Sequence, residues 1–314
     1  MDPIIIFGPT GHVGSAVALA APSLDASTTI LAMRTPSKPI PCLTPALEAS
    51  HPYIRIQADL SSPSTLTTAV SSTGATRAFV YIDHTSPDFM LSAFTALKEG
   101  GIKFVVFLST GIIRGDLSAV TTNDIITYSH ARVEMNLQRV FGRENVVPIR
   151  PAFFASNAFW WKGAVPSGKV KVYAPELRVD WIAPEDIGRV AASVLVNGTK
   201  EGYEEAVWLV GPQKVSLREG LGMIVRAVTG KEGEVVEVGA EEGKSMYVEF
   251  GLPPPMAETL VESFGKLKVL QEAGGGLVTD EEWEAGAKAV ETYTGRPAMK
   301  LEEWIEENKD EFRA

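Results

Sequence analysis

Glycine recurs at every third position in IIIFGPTGHVG (residues 4–14), directly after an apolar run and before the helix-like stretch GSAVALAA. The N–H groups at the start of a helix lack intrahelical partners and bind phosphate, and a Cβ at Gly8 or Gly11 would hold a pyrophosphate away from them. Gly14 would let the helix pack on the strand. The spacing predicts a dinucleotide-binding loop, and the alternative is a tight strand-to-helix turn without a ligand. The other candidate cofactor contacts in this loop are Thr10, His12 and Val13.

The residues after the second apolar run indicate which dinucleotide binds. An NAD site would carry an acidic residue there, whereas this sequence reads LAMRTPSK. Arg34 would offer a fork of donors to a 2′-phosphate, and Lys38 adds a second positive charge. We therefore expect NADP(H); the alternative is that Arg34 is only a solvated strand end. Asp59 and Leu60, after the third run, are expected at the adenine.

Short apolar runs alternate with longer mixed segments up to about residue 150, which is typical of buried parallel strands with helical crossovers. The sequence thus predicts an α/β fold, a Rossmann-type doubly wound parallel sheet, with a smaller, mainly helical C-terminal portion. We expect residues 1–150 to bind NADP(H) and residues 151–314 to bind substrate, with residues 179–211 returning to the sheet. The expected strands are 4–7, 28–33, 53–58, 78–82, 104–108, 146–149 and 206–211, and the expected helices include 92–99, 130–140 and 183–196.

Composition excludes several classes of function. The 314 residues carry a formal net charge of -10, which opposes binding to a phosphate backbone, so no nucleic-acid partner is expected. The single cysteine, Cys42, permits neither an internal disulfide nor a thiolate metal cluster, and no metal site is expected. No leader peptide and no membrane helix are expected, which predicts a cytoplasmic protein, monomeric or homodimeric, acting on a small molecule.

Several stretches resemble the NmrA-like, isoflavone-reductase-like group of atypical short-chain dehydrogenases. They are GPTGHVG with Arg34, RPAFFASNAF (150–159), VDWIAPEDIGRVAA (179–192) and VTG (228–230). GLPPPMAETL and TGRPAMKLEEWIEEN further resemble the fungal clavine-alkaloid reductases of the festuclavine and agroclavine type. The resemblance implies an NADP(H)-binding fold, and the group includes reductases of double bonds and iminium ions as well as non-catalytic redox sensors.

The resemblance also implies catalytic residues. Short-chain dehydrogenases commonly pair a tyrosine acid with a lysine four residues later, and here TYSHARVEMNL offers Tyr128 with Arg132. Arginine can hold ribose hydroxyls but does not pass a proton as lysine does, which disfavours carbonyl reduction. Ser109, after the fifth strand, should reach the nicotinamide edge of the sheet. Asp83 and His84 follow the fourth strand; Asp83 is either a base or substrate contact, or a turn cap.

An aromatic segment follows the sixth strand at the same edge. Such a stripe is usually core, but this position favours a pocket for a flat aromatic substrate. Its candidate substrate contacts are Phe153, Phe154, Asn157, Trp160 and Trp161, with Trp181 returning nearby.

These features predict an NADPH-dependent reductase of a small, aromatic or alkaloid-like secondary metabolite, with hydride transfer to a C=N or conjugated C=C bond. Two alternatives stay open. One is an NADP(H)-sensing binding protein without turnover, and the other is a redox-neutral isomerase or cyclase on the same fold.

Overall fold

A computed structural model describes residues 2–24, 26, 28–203, 205–276 and 278–313. Its centre is a seven-stranded sheet in the order β3-β2-β1-β4-β5-β6-β9, in which every neighbouring pair is parallel. This is the doubly wound order of a Rossmann-type fold, with one strand added at the edge. The strands are β1 Ile4–Phe7, β2 Thr29–Met33, β3 Tyr53–Gln57, β4 Arg77–Tyr81, β5 Phe104–Leu108, β6 Val146–Pro151 and β9 Val207–Leu209.

Helices cover both faces of this sheet. On one face pack α1 His12–Ala20, α6 Pro184–Asn197 and α10 Asp280–Thr294; on the other pack α3 Pro63–Thr73, α4 Leu91–Gly100 and α5 Ile125–Phe141. The short helix α2 Pro45–Ser50 precedes β3. Because both faces are covered, the central strands are apolar throughout, and all four residues of β1 are buried. The edge strand β3 is only partly buried.

A third cluster of buried residues forms the C-terminal portion. Its centre consists of large aromatic side chains, among them Trp161, Trp181, Tyr247 and Trp304. Two small sheets and four helices enclose it: β7 Lys169–Tyr173 pairs with β11 Glu234–Val238, and β8 Arg178–Val179 pairs with β10 Val215–Ser216. The helices are α7 Leu217–Thr229, α8 Ala240–Glu249, α9 Pro254–Glu272 and α11 Leu301–Asn308.

The α/β fold class predicted from the sequence is confirmed, and each predicted strand lies within about a residue or two of an observed one. Helix α5 begins at Ile125, five residues earlier than predicted, because the Asp124 side chain accepts hydrogen bonds from the Ile126 and Thr127 amides. The stretch GLPPP is not wholly a break, since Pro254 and Pro255 form the first turn of α9, where a missing N–H costs nothing. In AGGGL, Leu277 lies outside the described residues. Within those residues, no helix is both long and apolar enough to cross a membrane.

Candidate nucleotide-binding and active site

The glycine loop has the geometry of a phosphate cradle. Gly8 has a φ of +70°, and a Cβ on Gly14 would lie 2.1 Å from the Gly8 carbonyl oxygen, so a side chain is sterically excluded at Gly14. Gly11 is the N-cap of α1 and provides no side-chain cap, and the first turn contains no acidic residue. Among the described residues, the amides of His12, Val13 and Gly14 have no acceptor. The N-terminus of α1 therefore fits a bound pyrophosphate.

Tyr81 belongs to this cradle and was not found from the sequence. Its Cε1 atom lies 2.5 Å from where a Cβ on Gly8 would stand. The parallel pairing of Ile6 with Phe79 places Tyr81 beside Gly8 on the same face of the sheet. Side chains alternate between the two faces of a sheet along β4. If β1 and β4 are taken as parallel neighbours, this alternation places Tyr81 on the same face as Gly8. Desolvation raises the pKa of Tyr81, and the nearby charge of Arg34 opposes that rise.

The Arg34 side chain is exposed beyond the end of β2, and no described residue pairs with its guanidinium. The loop behind it is held in place by Arg55 of β3. The Nη1 atom of Arg55 donates to the carbonyls of Pro36 and Lys38, both at 2.8 Å, while its other nitrogens bind Glu48. Arg34 and Lys38 are thus presented at the place where a 2′-phosphate would lie.

At the adjoining strand end, the Oδ1 atom of Asp59 accepts hydrogen bonds from the amide and hydroxyl of Ser61, and Leu60 is buried. The Thr10 side chain is half-buried in the loop. The structure therefore brings together the residues predicted for the cofactor at the carboxyl edge of β1, β2 and β3.

His12 links the loop to the C-terminal portion. Its ring stacks on Phe159 with centroids 5.2 Å apart, and Phe159 in turn contacts Phe312 at 4.7 Å. Phe159 thus connects the start of the first helix to Phe312 through two aromatic contacts.

Beyond β5 lies a buried polar network. The Ser109 hydroxyl donates to Glu134 Oε1 at 2.5 Å, and Arg150 binds both carboxylate oxygens of Glu134, at 3.1 and 2.6 Å. Glu134 is fully buried, so its charge is compensated only by these partners. The network fixes Ser109 at the carboxyl edge of the sheet, where ligands bind in open α/β folds.

His130 lies one turn before Glu134 on the same face of α5. Its Nδ1 donates to the Ile126 carbonyl at 2.8 Å, which leaves Nε2 as an acceptor. Its ring contacts His84 edge-on, with centroids 5.5 Å apart. Burial lowers the pKa of His130 to about 4, so the ring is neutral at pH 7. Desolvation also lowers the pKa of His84, opposed by Asp83.

The predicted pair Tyr128 and Arg132 does not meet Ser109. Both side chains contact Phe89, Tyr128 with ring centroids 5.7 Å apart and Arg132 with Cζ 5.8 Å from the ring centre. At 100° per residue, they lie about 120–160° around α5 from His130 and Glu134, which face the sheet. The face of α5 that contacts Ser109 through Glu134 also carries His130, and the catalytic role of Tyr128 and Arg132 stays a prediction.

Asp83 caps a turn. Its Oδ1 atom accepts hydrogen bonds from the amide of Thr85 at 2.9 Å and from its hydroxyl at 2.6 Å. This is the structural alternative considered from the sequence, and it leaves Asp83 fixed at the end of β4.

The aromatic segment divides into two groups. Trp161 and Trp181 are core residues, each 1% exposed, with their indole N–H groups donating to the carbonyls of Lys171 and Val215. Their expected role as substrate contacts is therefore not supported. Phe153 and Trp160 are half-buried and contact each other edge-on at 6.4 Å. They are available to line a pocket.

The remaining two members of the segment differ. Phe154 forms a backbone bridge with Ile182 and packs against the sheet core, whereas the Asn157 side chain is half-buried in the 3-10 turn Ala155–Trp161.

Asp180 positions Phe153 and was also missed from the sequence. Its carboxylate accepts hydrogen bonds from the amides of Phe153 at 2.7 Å and Gly211 at 3.0 Å, joining the ends of β6 and β9. Burial raises the pKa of Asp180 to about 6, and the backbone hydrogen bonds oppose this rise. Within the described part of the chain, no three His, Cys, Asp or Glu side chains gather as a metal site.

No family model matches the chain. The nitrogen metabolite regulation-like protein bik4 of Gibberella fujikuroi is 35% identical over 324 residues, covering 96% of this chain and 95% of that protein. A (4-alkanoyl-5-oxo-2,5-dihydrofuran-3-yl)methyl phosphate reductase of Streptomyces griseus is 28% identical, covering 73% and 74%. The NADPH-dependent quinone oxidoreductase QOR2 of Escherichia coli, solved with NADPH, has a TM-score of 0.70 at 20% identity over 97% of this chain and 99% of that one.

The fold and the glycine loop thus define a protein of the Rossmann-type α/β class. More particularly, the near full-length similarity to bik4 shows that the chain belongs to the nitrogen metabolite regulation-like family.

Proposed function

We propose that the protein is an NADPH-dependent reductase of a small cyclic metabolite, acting on an electron-poor double bond: a conjugated C=C bond, as in an enone or quinone, or the C=N bond of an iminium ion. NADPH, when bound, supplies the hydride. The relatives that are named as reductases and the NADPH-bound neighbour support this class of reaction. The alkaloid-type iminium implied by the sequence resemblance is one member of the substrate class.

We assign the cofactor to residues 1–150 and the substrate mainly to residues 151–314, with α6 and β9 completing the sheet. The α1 amides would hold the pyrophosphate, Tyr81 would cover the loop, and Arg34 would bind the 2′-phosphate. Phe153 and Trp160 would form the aromatic wall of the substrate site. The single described cysteine, Cys42, is exposed and free, as suits the reducing cytoplasm that we propose as its compartment.

The side chains at the carboxyl edge of the sheet give the main support for this proposal. Among the described side chains there, His130 is neutral and offers an acceptor, the Ser109 hydroxyl donates to Glu134, and Tyr128 faces Phe89. No strong proton donor is therefore placed beside the expected nicotinamide. Reduction of a saturated ketone needs such a donor at its oxygen, whereas an iminium ion already carries its charge and a quinone or enone spreads the charge that it gains.

A substrate panel tests this proposal. Purified protein is mixed with NADPH and, in turn, naphthoquinone, cyclohexenone, a dihydroisoquinolinium ion and cyclohexanone, and the absorbance of the reduced nicotinamide is followed. We expect oxidation of NADPH with at least one of the first three compounds and none with the saturated ketone. Turnover of cyclohexanone, or inertness towards the other three, would contradict the proposal.

A second candidate function is redox sensing without turnover. The name of the 35% identical relative and the absence of a tyrosine acid at Ser109 favour it. Calorimetric titration separates the two functions: a sensor should discriminate strongly between NADP+ and NADPH in affinity, and it should be inert with the whole panel.

A further inference from the structure

A cleft with both polar and apolar lining residues opens after β5. It has a volume of about 240 Å³ and lies between the segment 112–127, which follows Ser109, and one face of α9. Ile112 is three residues beyond Ser109, and Thr127 is one helical turn before His130, so the cleft is close in sequence to the candidate active-site residues.

Four neutral polar side chains in the cleft lack partners. Thr121, Asn123, Thr259 and Ser263 line it, and within the described residues none of these side chains makes a hydrogen bond to the protein. Their spacing on α9, four residues, places Thr259 and Ser263 together on the face that borders the cleft. These groups can donate to and accept from oxygen atoms of a ligand.

One cation, Lys266, is among the lining residues of the cleft, and it lies 3.8 Å from Glu262, one turn earlier on α9. The Asp124 carboxylate accepts hydrogen bonds from the amides of Ile126 and Thr127 and from the Thr127 hydroxyl. An anionic ligand would therefore find no unpaired cation among these lining residues.

Two apolar side chains complete the lining. Ile112, which is 37% exposed, and Val120 line the same cleft as the polar groups. Apolar surface of this kind suits the face of a ring, while the hydroxyls and the amide suit its oxygenated edge.

We propose that this cleft binds the substrate as a one- or two-ring compound carrying several oxygen substituents, such as a hydroxylated quinone or enone, with its oxygens hydrogen-bonded to Thr121, Asn123, Thr259 and Ser263. A cleft of about 240 Å³ that opens to solvent has room for a ring system of this size. This proposal rests on the proposed function for the reaction, but binding to the cleft is measurable without turnover.

The test compares two probes on two matched variants. Naphthazarin, a dihydroxylated naphthoquinone, and unsubstituted naphthoquinone are titrated calorimetrically into protein saturated with NADP+. A Cys42→Ser background prevents addition of the quinones to the exposed thiol. The test variant carries Thr259→Val and Ser263→Ala; the control carries Thr68→Val and Ser71→Ala on the exposed face of α3.

We expect naphthazarin to bind more tightly than naphthoquinone, and the α9 variant to lose about tenfold in affinity for naphthazarin with less than twofold change for naphthoquinone and for NADP+. The α3 control should match the parent. Equal affinity of the parent for the two probes, equal loss of both, no loss of naphthazarin, or tighter binding of an isoquinolinium ion than of naphthazarin would each overturn the proposal.

Turnover is measured on the same samples. If naphthazarin binding shows the expected pattern but NADPH is not oxidised with any substrate, the reductase function fails and the cleft assignment holds. If NADPH is oxidised but the α9 variant binds naphthazarin normally, the cleft assignment fails and the reductase function holds.

Discussion

Removing the Glu134 carboxylate should be among the most damaging single changes in the protein. In the Glu134→Ala variant, Arg150 would keep its charge with a side chain that is only 11% exposed, and the buried Ser109 hydroxyl would lose its acceptor. Truncating one partner of a buried ion pair typically costs about 3–5 kcal/mol because the other charge is left without compensation. We expect a loss of this size in the free energy of unfolding.

A matched control exists in the same fold. Glu48 and Arg55 also form a two-pronged pair, at 2.6 and 2.8 Å, but their side chains are 25–28% exposed. Water can replace the lost partner there, so Glu48→Ala should cost about 1 kcal/mol or less. The two variants therefore differ mainly in how deeply the disrupted ion pair is buried.

The assay is urea denaturation followed by circular dichroism, with the double variant Glu134→Leu/Arg150→Met as a third arm. Replacing both charges with apolar side chains should recover most of the loss, because no unpaired charge remains. If Glu134→Ala were no more destabilising than Glu48→Ala, or if the double variant were as unstable as the single one, the network would not have the energetics inferred from its burial.

Three further predictions follow from the loop and the edge. Arg34→Asp should weaken NADPH binding at least tenfold relative to NADH, measured by nicotinamide fluorescence, while Arg143→Asp on the far surface should not; equal changes in the two variants would refute the 2′-phosphate assignment. Gly14→Ala should destabilise the protein by about 1–3 kcal/mol in urea because its Cβ would meet a backbone oxygen at 2.1 Å, whereas Gly163→Ala, with open space around it, should be tolerated. His130 has a folded pKa of about 4 against about 6.5 in the unfolded chain, so its contribution to stability is complete above pH 6.5 and is lost as the pH falls towards 4; the gap in unfolding free energy between wild type and His130→Gln should grow by about 3 kcal/mol from pH 4 to pH 7, and a constant gap would show that this ring is not buried in its neutral form.

The sheet could be predicted from the sequence because central strands buried on both faces must be apolar throughout, as in IIIF and FVVFL. The glycine loop was predictable for a related reason: glycine is required where a backbone turns with positive φ or approaches another backbone closely, and Gly8 and Gly14 do so.

The face of α5 on which each candidate residue lies could not be predicted, because spacing along a helix does not give the rotation of the helix about its axis. Tyr128 and Arg132 satisfy the spacing of four, but so do His130 and Glu134. The rotation is set by burial of Ala131, Leu137 and Phe141, whose period in the sequence places His130 and Glu134 towards the sheet. This apolar period is visible in the sequence, but it gives the rotation of α5 only if the first residue of the helix is known.

Contacts between distant segments could not be derived from the sequence without the strand order. The packing of Tyr81 over Gly8 and the bonds from Asp180 to Phe153 depend on which strands are neighbours, and this follows only from the assembled sheet. The burial of Trp161 and Trp181 could not be predicted for the same reason. Their indole N–H groups donate hydrogen bonds to backbone carbonyls of other segments, which allows both side chains to lie in the core.

The packing of α6 against α1 has a consequence for synthesis on the ribosome. A Cβ at Gly188 would lie 2.3 Å from the Ala16 side chain, so the two helices are in close contact although more than 160 residues separate them. The part of this sheet face that α6 covers therefore stays exposed until α6 has emerged from the exit tunnel. The contact of Phe159 with Phe312, on the other side from its stack with His12, forms later still, once residue 312 has been added. A nascent chain must therefore keep an unfinished hydrophobic surface shielded while translation of these later segments continues.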